Sequence, residues 1–177
     1  MNVMFRNMRT PCLLIFAAAG SILFAQQPNV AAQRDAMKKL EFLAGKWQGP
    51  ASVWRGPGEP MRITQSENIQ FKLDGLVLLM EGEGRNAEGS KRVFGALATV
   101  SYDETTSTYH FRAFNDGHFL DTELKVETNG FSWGYTAGPL KVSNTMRVNE
   151  AGEWVETTES VYNGGPPKKS VEMKLQR

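Results

Sequence analysis

From Ala44 to the C-terminus, hydrophobic and polar residues alternate with a period of two, and turn-forming residues interrupt the alternation at short intervals. Such alternation belongs to strands with one buried and one wetted face. The pattern predicts ten strands, at roughly 46–54, 62–73, 76–84, 91–102, 107–115, 118–127, 131–136, 140–149, 153–162 and 169–176. Ahead of them, Arg34 to Leu43 predicts a short helix with Met37, Leu40 and Leu43 on one face.

The turns set the register. Asp74-Gly75, Asp116-Gly117 and Asn129-Gly130 are strong two-residue hairpin signals, because these residues tolerate left-handed backbone; Gly138-Pro139 and Ala151-Gly152 are weaker ones. Residues directly opposite across a hairpin share a face. The first turn then pairs Leu73 with Leu76, Phe71 with Leu78, Ile69 with Met80 and Glu67 with Gly82. The loop after Asp103 sets Val100 against Tyr109 and Ala98 against Phe111. The Asp116 turn sets Asn115 against His118 and Phe111 against Thr122; the Asn129 turn sets Val126 against Trp133 and Leu124 against Tyr135. Gly138-Pro139 brings Tyr135 to Val142, and Ala151-Gly152 brings Val148 to Val155, Met146 to Thr157 and Asn144 to Glu159. Each hairpin hands one inward face to the next. The outward face is Lys72, Glu81, Glu83, Arg112, Asp121, Glu123, Lys125, Lys141, Arg147 and Glu156, with Arg147 opposite Glu156 as a cross-strand ion pair.

Ten antiparallel strands sharing one buried face close into an all-β, up-and-down barrel, which removes exposed edges. A two-layer sandwich is the alternative architecture. The helix and Trp47 fall at one end with the tight turns, and that end reads as a packed plug. The other end carries the longer loops, 55–60, 85–90 and 163–168. There the inward residues are polar or small: Gln65, Glu67, Gly82, Gly84, Asn115, His118, Thr122, Tyr135, Asn144 and Glu159.

The opening Leu40-Glu41-Phe42-Leu43-Ala44-Gly45-Lys46-Trp47-Gln48-Gly49 resembles the Leu-x-x-Leu-x-Gly-x-Trp-x-Gly start of calycin-like barrels. Ser101-Tyr102-Asp103, Tyr109, the stretch from Phe111 to Gly117, Trp154-Val155-Glu156 and the closing Glu172-Met173-Lys174-Leu175 resemble a secreted bacterial family known only as a domain of unknown function. The superfamily includes lipocalins, fatty-acid-binding proteins and nitrobindins. The resemblance implies a ten-stranded calycin-like barrel that holds a small apolar ligand or cofactor. Nitrobindins hold haem through a histidine near the C-terminal end of the barrel. The last strands here contain no histidine, so no haem and no other cofactor is expected.

The first 25 residues read as an export signal: Arg6 and Arg9, a short apolar run from Cys12 to Phe24, and Ala25 before the cut, although Leu23 is large for its position. The run is short for a membrane span, so no stable membrane insertion is expected after cleavage, and the location is periplasmic or secreted. Residues 26–33 form a flexible tether, and 34–177 one barrel domain. Cys12 leaves with the signal, so disulfides and thiolate chemistry are excluded from the rest of the chain. Its charge is close to balanced and has no basic patch, which argues against a nucleic-acid partner. Composition leaves the oligomeric state open.

Chemistry is confined to a few residues. There is no Gly-x-Ser-x-Gly elbow, no phosphate-binding glycine loop before a helix and no His-Glu-x-x-His. A metal site is not expected, since only one inward histidine and no thiol are on offer. Glu67 is the sharpest candidate, because a carboxylate facing a barrel interior is costly unless paired or neutral. It reads either as a ligand anchor or proton acceptor, or as a group held by internal hydrogen bonds. His118 beside Asn115 is either a base at the rim or a solvated side chain. Glu159 resembles Glu67, but a longer loop at Ala151-Gly152 would turn Trp154 and Glu156 inward instead. The expected ligand is a small, mostly apolar or amphipathic molecule. It meets Glu67, Asn115, His118, Tyr135, Asn144 and Glu159 with its polar end, and Met80, Phe111, Trp133 and Met146 with its apolar body. Two rivals stand beside binding: a barrel isomerase or hydrolase using Glu67 or His118, and a structural or interaction domain with a filled interior.

Overall fold

A computed structural model describes residues 27–177. The expected export signal and its cut after Ala25 lie outside the described residues. Helix α1 (Val30–Met37) runs into a 3-10 turn over Lys38–Leu43, and ten strands follow: β1 (Gly45–Val53), β2 (Met61–Lys72), β3 (Val77–Asn86), β4 (Arg92–Asp103), β5 (Thr108–Asn115), β6 (His118–Glu127), β7 (Gly130–Ala137), β8 (Leu140–Val148), β9 (Trp154–Tyr162) and β10 (Lys168–Leu175). Each strand pairs antiparallel with its sequence neighbour, and β10 returns to β1, closing the barrel. No helix among the described residues is long and apolar enough to cross a membrane, which says nothing of the strands.

The helix begins earlier than the pattern predicts. Asn29 accepts from the Ala32 N–H and caps it, so residues 30–33, expected as tether, form its first turns. Met37, Leu40 and Leu43 are buried, as the apolar stripe requires. Their spacing of three suits the tighter 3-10 turn, where every third residue shares a face. Two hooks hold this segment across the barrel end. The Tyr109 hydroxyl donates to the Ala36 carbonyl at 2.8 Å, and Arg34 Nε donates to the Asp74 carbonyl at 2.7 Å. Beneath it, Trp47 and Trp154 meet edge to face at 5.6 Å, with Phe131 against Trp154.

The turns around Asp74, Asp116 and Gly138 give the expected registers: Phe71 opposite Leu78, Glu67 opposite Gly82, Asn115 opposite His118, Tyr135 opposite Val142. Leu73 is an exception. It takes a left-handed conformation inside the first turn and is 71% exposed, so it does not face inward. Two other turns slip the register by two residues and so keep the facing. Asp103 Oδ1 accepts from the N–H groups of Thr105 and Thr106, which moves the four-residue loop one place on, to 104–107, and sets Val100 opposite Phe111 and Ala98 opposite Ala113. At the next turn Thr128 and Asn129 make the bend, and Val126 meets Phe131 instead of Trp133. Gly130 is there for another reason: a Cβ on it would lie 2.6 Å from the Met146 carbonyl oxygen.

The last predicted turn is wrong by one residue, which reverses the facing of β9. Asn149 Oδ1 accepts from the N–H groups of Ala151 and Glu153, and Gly152 takes the left-handed position. Asn149 pairs with Glu153, and the three-residue loop between them sets Val148 opposite Trp154, Met146 opposite Glu156 and Asn144 opposite Thr158. Trp154, Glu156 and Thr158 are buried, while Val155 and Glu159 are exposed. The expected Arg147–Glu156 ion pair is therefore absent; Arg147 pairs with Glu127 at 2.8 Å on the surface.

One seam is incomplete. β6 and β7 pair only over Lys125–Glu127 and Gly130–Ser132. Toward the long-loop end they part, bridged by the Thr122 hydroxyl donating to the Gly134 carbonyl at 2.8 Å.

Candidate functional site

Strand tilt in a barrel makes a cross-strand row climb as it passes round the wall. One such row runs Trp47, Glu67, Gly82, Ala96, Asn115, His118. It starts under the helix and ends at the open mouth, where His118 is exposed. Glu67 thus sits well inside, and four inter-strand steps separate it from His118. The two do not touch: Glu67 takes its hydrogen bond from Gln65 Nε2, at 2.8 Å.

Glu67 lies over Gly82. A Cβ there would stand 2.8 Å and 3.0 Å from its two carboxylate oxygens, so the glycine makes the space that the carboxyl fills. The side chain keeps some accessible surface toward the mouth, yet protein surrounds it on nearly every side. Among the described residues only Oε1 receives a donor, and no cation pairs with the group. Burial pushes its pKa up from 4.5 to about 7, against the lowering effect of the Gln65 hydrogen bond, and the charge of Glu156 adds to the rise.

Glu156 is the residue that sequence reasoning placed on the wrong face. It is buried, and Asn144 Nδ2 donates to its Oε1 at 2.7 Å while Trp154 Nε1 donates to its Oε2 at 2.8 Å. Those bonds favour the charged form, but desolvation outweighs them and holds its pKa near 7 as well. Asn144 Nδ2 also reaches the Thr158 hydroxyl at 2.8 Å, and Asn144 Oδ1 is buried without a partner among the described residues. The signal that marks this cluster in the sequence is Asn149, whose side chain starts the longer turn.

An aromatic ladder lines the opposite wall. Phe111 and Trp133 stack at 5.6 Å, and Trp133 and Tyr135 at 6.4 Å, running from a buried ring to one 36% exposed at the mouth. Gly82, Gly84, Ala98 and Ala113 bring almost no side chain into the lumen beside it. Met80 and Met146 are buried in the core below. Of the residues expected at the site, Glu67, Met80, Phe111, Trp133, Asn144 and Met146 face this chamber. Asn115, His118 and Tyr135 stand at its rim, and Glu159 points away into solvent.

A concavity of about 1220 Å³ lies on the outer wall and reaches through to Trp47, Glu67, Gly82, Asn115 and His118. It is an open groove lined mostly by outward residues of β1 to β6, including Ser66, Glu83, Leu97, Phe114 and Phe119. Leu97, Phe114 and Phe119 are cross-strand neighbours, 40%, 46% and 73% exposed. Its charged groups reach solvent, and Glu83 there pairs with Arg85 at 2.7 Å. The unmet polar groups lie in the lumen, which is why the lumen is the better candidate. Among the described residues no three histidine, cysteine, aspartate or glutamate side chains gather as a metal site would need.

The chain belongs to the family described as "Protein of unknown function (DUF1579)", which matches residues 32–177. No curated protein matches it. Among solved structures it is similar to the crystal structure of Rv2717c from M. tuberculosis, with a TM-score of 0.60 and 11% identity over 80% of this chain and 96% of that one. At that identity the likeness shows the fold alone.

Proposed function

We propose that this barrel binds a small, mostly apolar molecule in its lumen, with Glu67 as the anchor for the molecule's polar end. The observation that carries the reading is the unmet carboxyl: an interior glutamate with one oxygen free, seated over Gly82 in a barrel that also carries a stacked aromatic wall. A packed structural core has no use for such a group, because burying it costs stability that a glutamine or leucine would not. Apolar walls with a few placed polar groups are what small-molecule sites are made of.

The parting of β6 and β7 and the mouth near Tyr135 supply the way in. The reading keeps the calycin-like kinship, carries no haem and no nucleic acid, and places the protein outside the cytoplasm on the strength of its first 25 residues. A second reading has one observation in its favour. A carboxyl with a pKa of about 7 can take up and return a proton at neutral pH, as an isomerase or hydrolase base must.

The test is uptake of a neutral fluorescent probe, N-phenyl-1-naphthylamine, combined with native mass spectrometry of protein purified from its own host. Saturable uptake that an Ala113→Trp substitution in the lumen abolishes, and a Phe119→Ser substitution on the outer groove leaves intact, supports the reading. The reverse pattern, or no uptake and a bare mass, ends it in favour of a filled interaction domain. A Glu67→Gln change that abolishes turnover of a bound compound but not its binding favours the enzyme.

A further inference from the structure

We propose that the ligand of this chamber carries a protonated amine, received between Glu67 and Glu156, on an apolar or aromatic body. The inference rests on the lumen-binding reading and names the class of molecule that fits it.

Charge is the first argument. Every ion pair among the described residues lies on the surface. The lumen instead holds two carboxyls and, among the described residues, no lysine or arginine to balance them. Trp47 from β1, Gln65 from β2, Gly82 from β3 and Glu156 from β9 surround Glu67, and Glu156 is the sole titratable group of the four. Two uncompensated buried acids repel one another and resist ionisation. An organic ammonium between them supplies the countercharge that the chain withholds.

The second argument is hydrogen bonding. Asn144 is 1% exposed, its Nδ2 serves Glu156 and Thr158, and its Oδ1 has no donor. Turning the amide over does not help, since the oxygen would then face the Glu156 and Thr158 oxygens and the nitrogen would be the orphan. The interior beside Glu156 therefore holds one unmet acceptor, and Glu67 Oε2 is another. A primary ammonium brings three donors and no acceptor, whereas a carboxylate or phosphate head would set oxygen against oxygen. The third argument is the wall. The stacked faces of Phe111, Trp133 and Tyr135 suit an alkyl or flat body and attract a cation passing over them.

Isothermal titration of the protein with decylamine, decanol and decanoate tests this, because the three differ only at the head. At pH 8 decylamine is expected to bind about tenfold tighter than decanol, with decanoate weakest. Glu67→Gln should bring decylamine to within about threefold of decanol. In the wild-type protein the preference should shrink about fivefold at pH 5.5, where protons occupy both carboxyls. The pH comparison needs no substitution, so it stands even if the variant misfolds. Equal affinity for the three heads, or a preference for decanoate, overturns the amine while lumen binding survives. An amine preference that persists in Glu67→Gln or in Ala113→Trp places the cation on the outer groove and overturns it too. Failure of all three to bind overturns both this inference and the reading beneath it.

Discussion

Replacing Glu67 by glutamine should make the protein more stable, and only at neutral to alkaline pH. In the folded state its carboxyl titrates at about 7 against 4.5 for the free side chain. The fold therefore holds the proton more tightly than the unfolded chain does. Below 4.5 both states are protonated and the group is harmless. As pH rises from there to about 7 the unfolded chain ionises while the folded one resists, so stability falls; above 7 the whole penalty is in force. That rise in pKa, at about 1.4 kcal/mol for each pH unit, gives ~3.5 kcal/mol, reduced to ~2 kcal/mol because some surface still faces water. At this chain length that corresponds to a rise in Tm of roughly 4–8 °C at pH 8 and close to none at pH 5. The acids held low, Glu153 at about 2 with Asp103 and Glu104, titrate beneath this window and do not mask it. Glu156→Gln is the contrast. Trp154 and Asn144 each donate to one of its oxygens, so an amide must turn its NH₂ toward one donor, at about 1–3 kcal/mol, which offsets the gain. Thermal melts of wild type and both variants at pH 5 and pH 8 decide the matter. A Glu67→Gln gain equal at the two pH values, or a wild-type Tm flat between them, refutes the claim of an uncompensated buried carboxyl.

Other consequences can be checked separately. Gly82→Ala places a methyl 2.8 Å from a Glu67 oxygen; the carboxyl must swing aside, and decylamine affinity should drop about tenfold with a loss of stability under ~1.5 kcal/mol, read by titration and urea denaturation. Trp154→Phe keeps a ring in the core but removes the donor to Glu156, and should cost ~2–4 kcal/mol in urea denaturation; a loss below ~1 kcal/mol would show that the indole N–H is idle. Tyr109→Phe cuts the hook to Ala36 and should lower stability by ~1 kcal/mol while leaving probe uptake alone. In hydrogen exchange, roughly every second amide of residues 118–124 and 133–137 should exchange fast, because β6 and β7 do not pair there; uniform protection would mean the seam is closed.

The alternation of side chains and the placement of glycine, asparagine and aspartate were enough to determine an antiparallel ten-strand barrel, its helix-closed end, and the inward position of Glu67, since a period of two leaves only one face to bury. They also carried the facing of β4, β5 and β7 through turns misplaced by one residue, because the resulting register slip of two returns each side chain to the same side. What the chain alone could not decide was the slip of one at the turn after Asn149. There Ala151-Gly152 offered a two-residue bend, and the Asn149 side chain, by capping two backbone N–H groups, made a three-residue one instead. That single step moved Glu159 out and Glu156 in. The pairing of Glu67 with a second acid, the orphaned Asn144 oxygen and the separation of Glu67 from His118 all depend on how ten tilted strands close on one another. These are distances across a lumen, between residues far apart in sequence, and only the tertiary structure sets them.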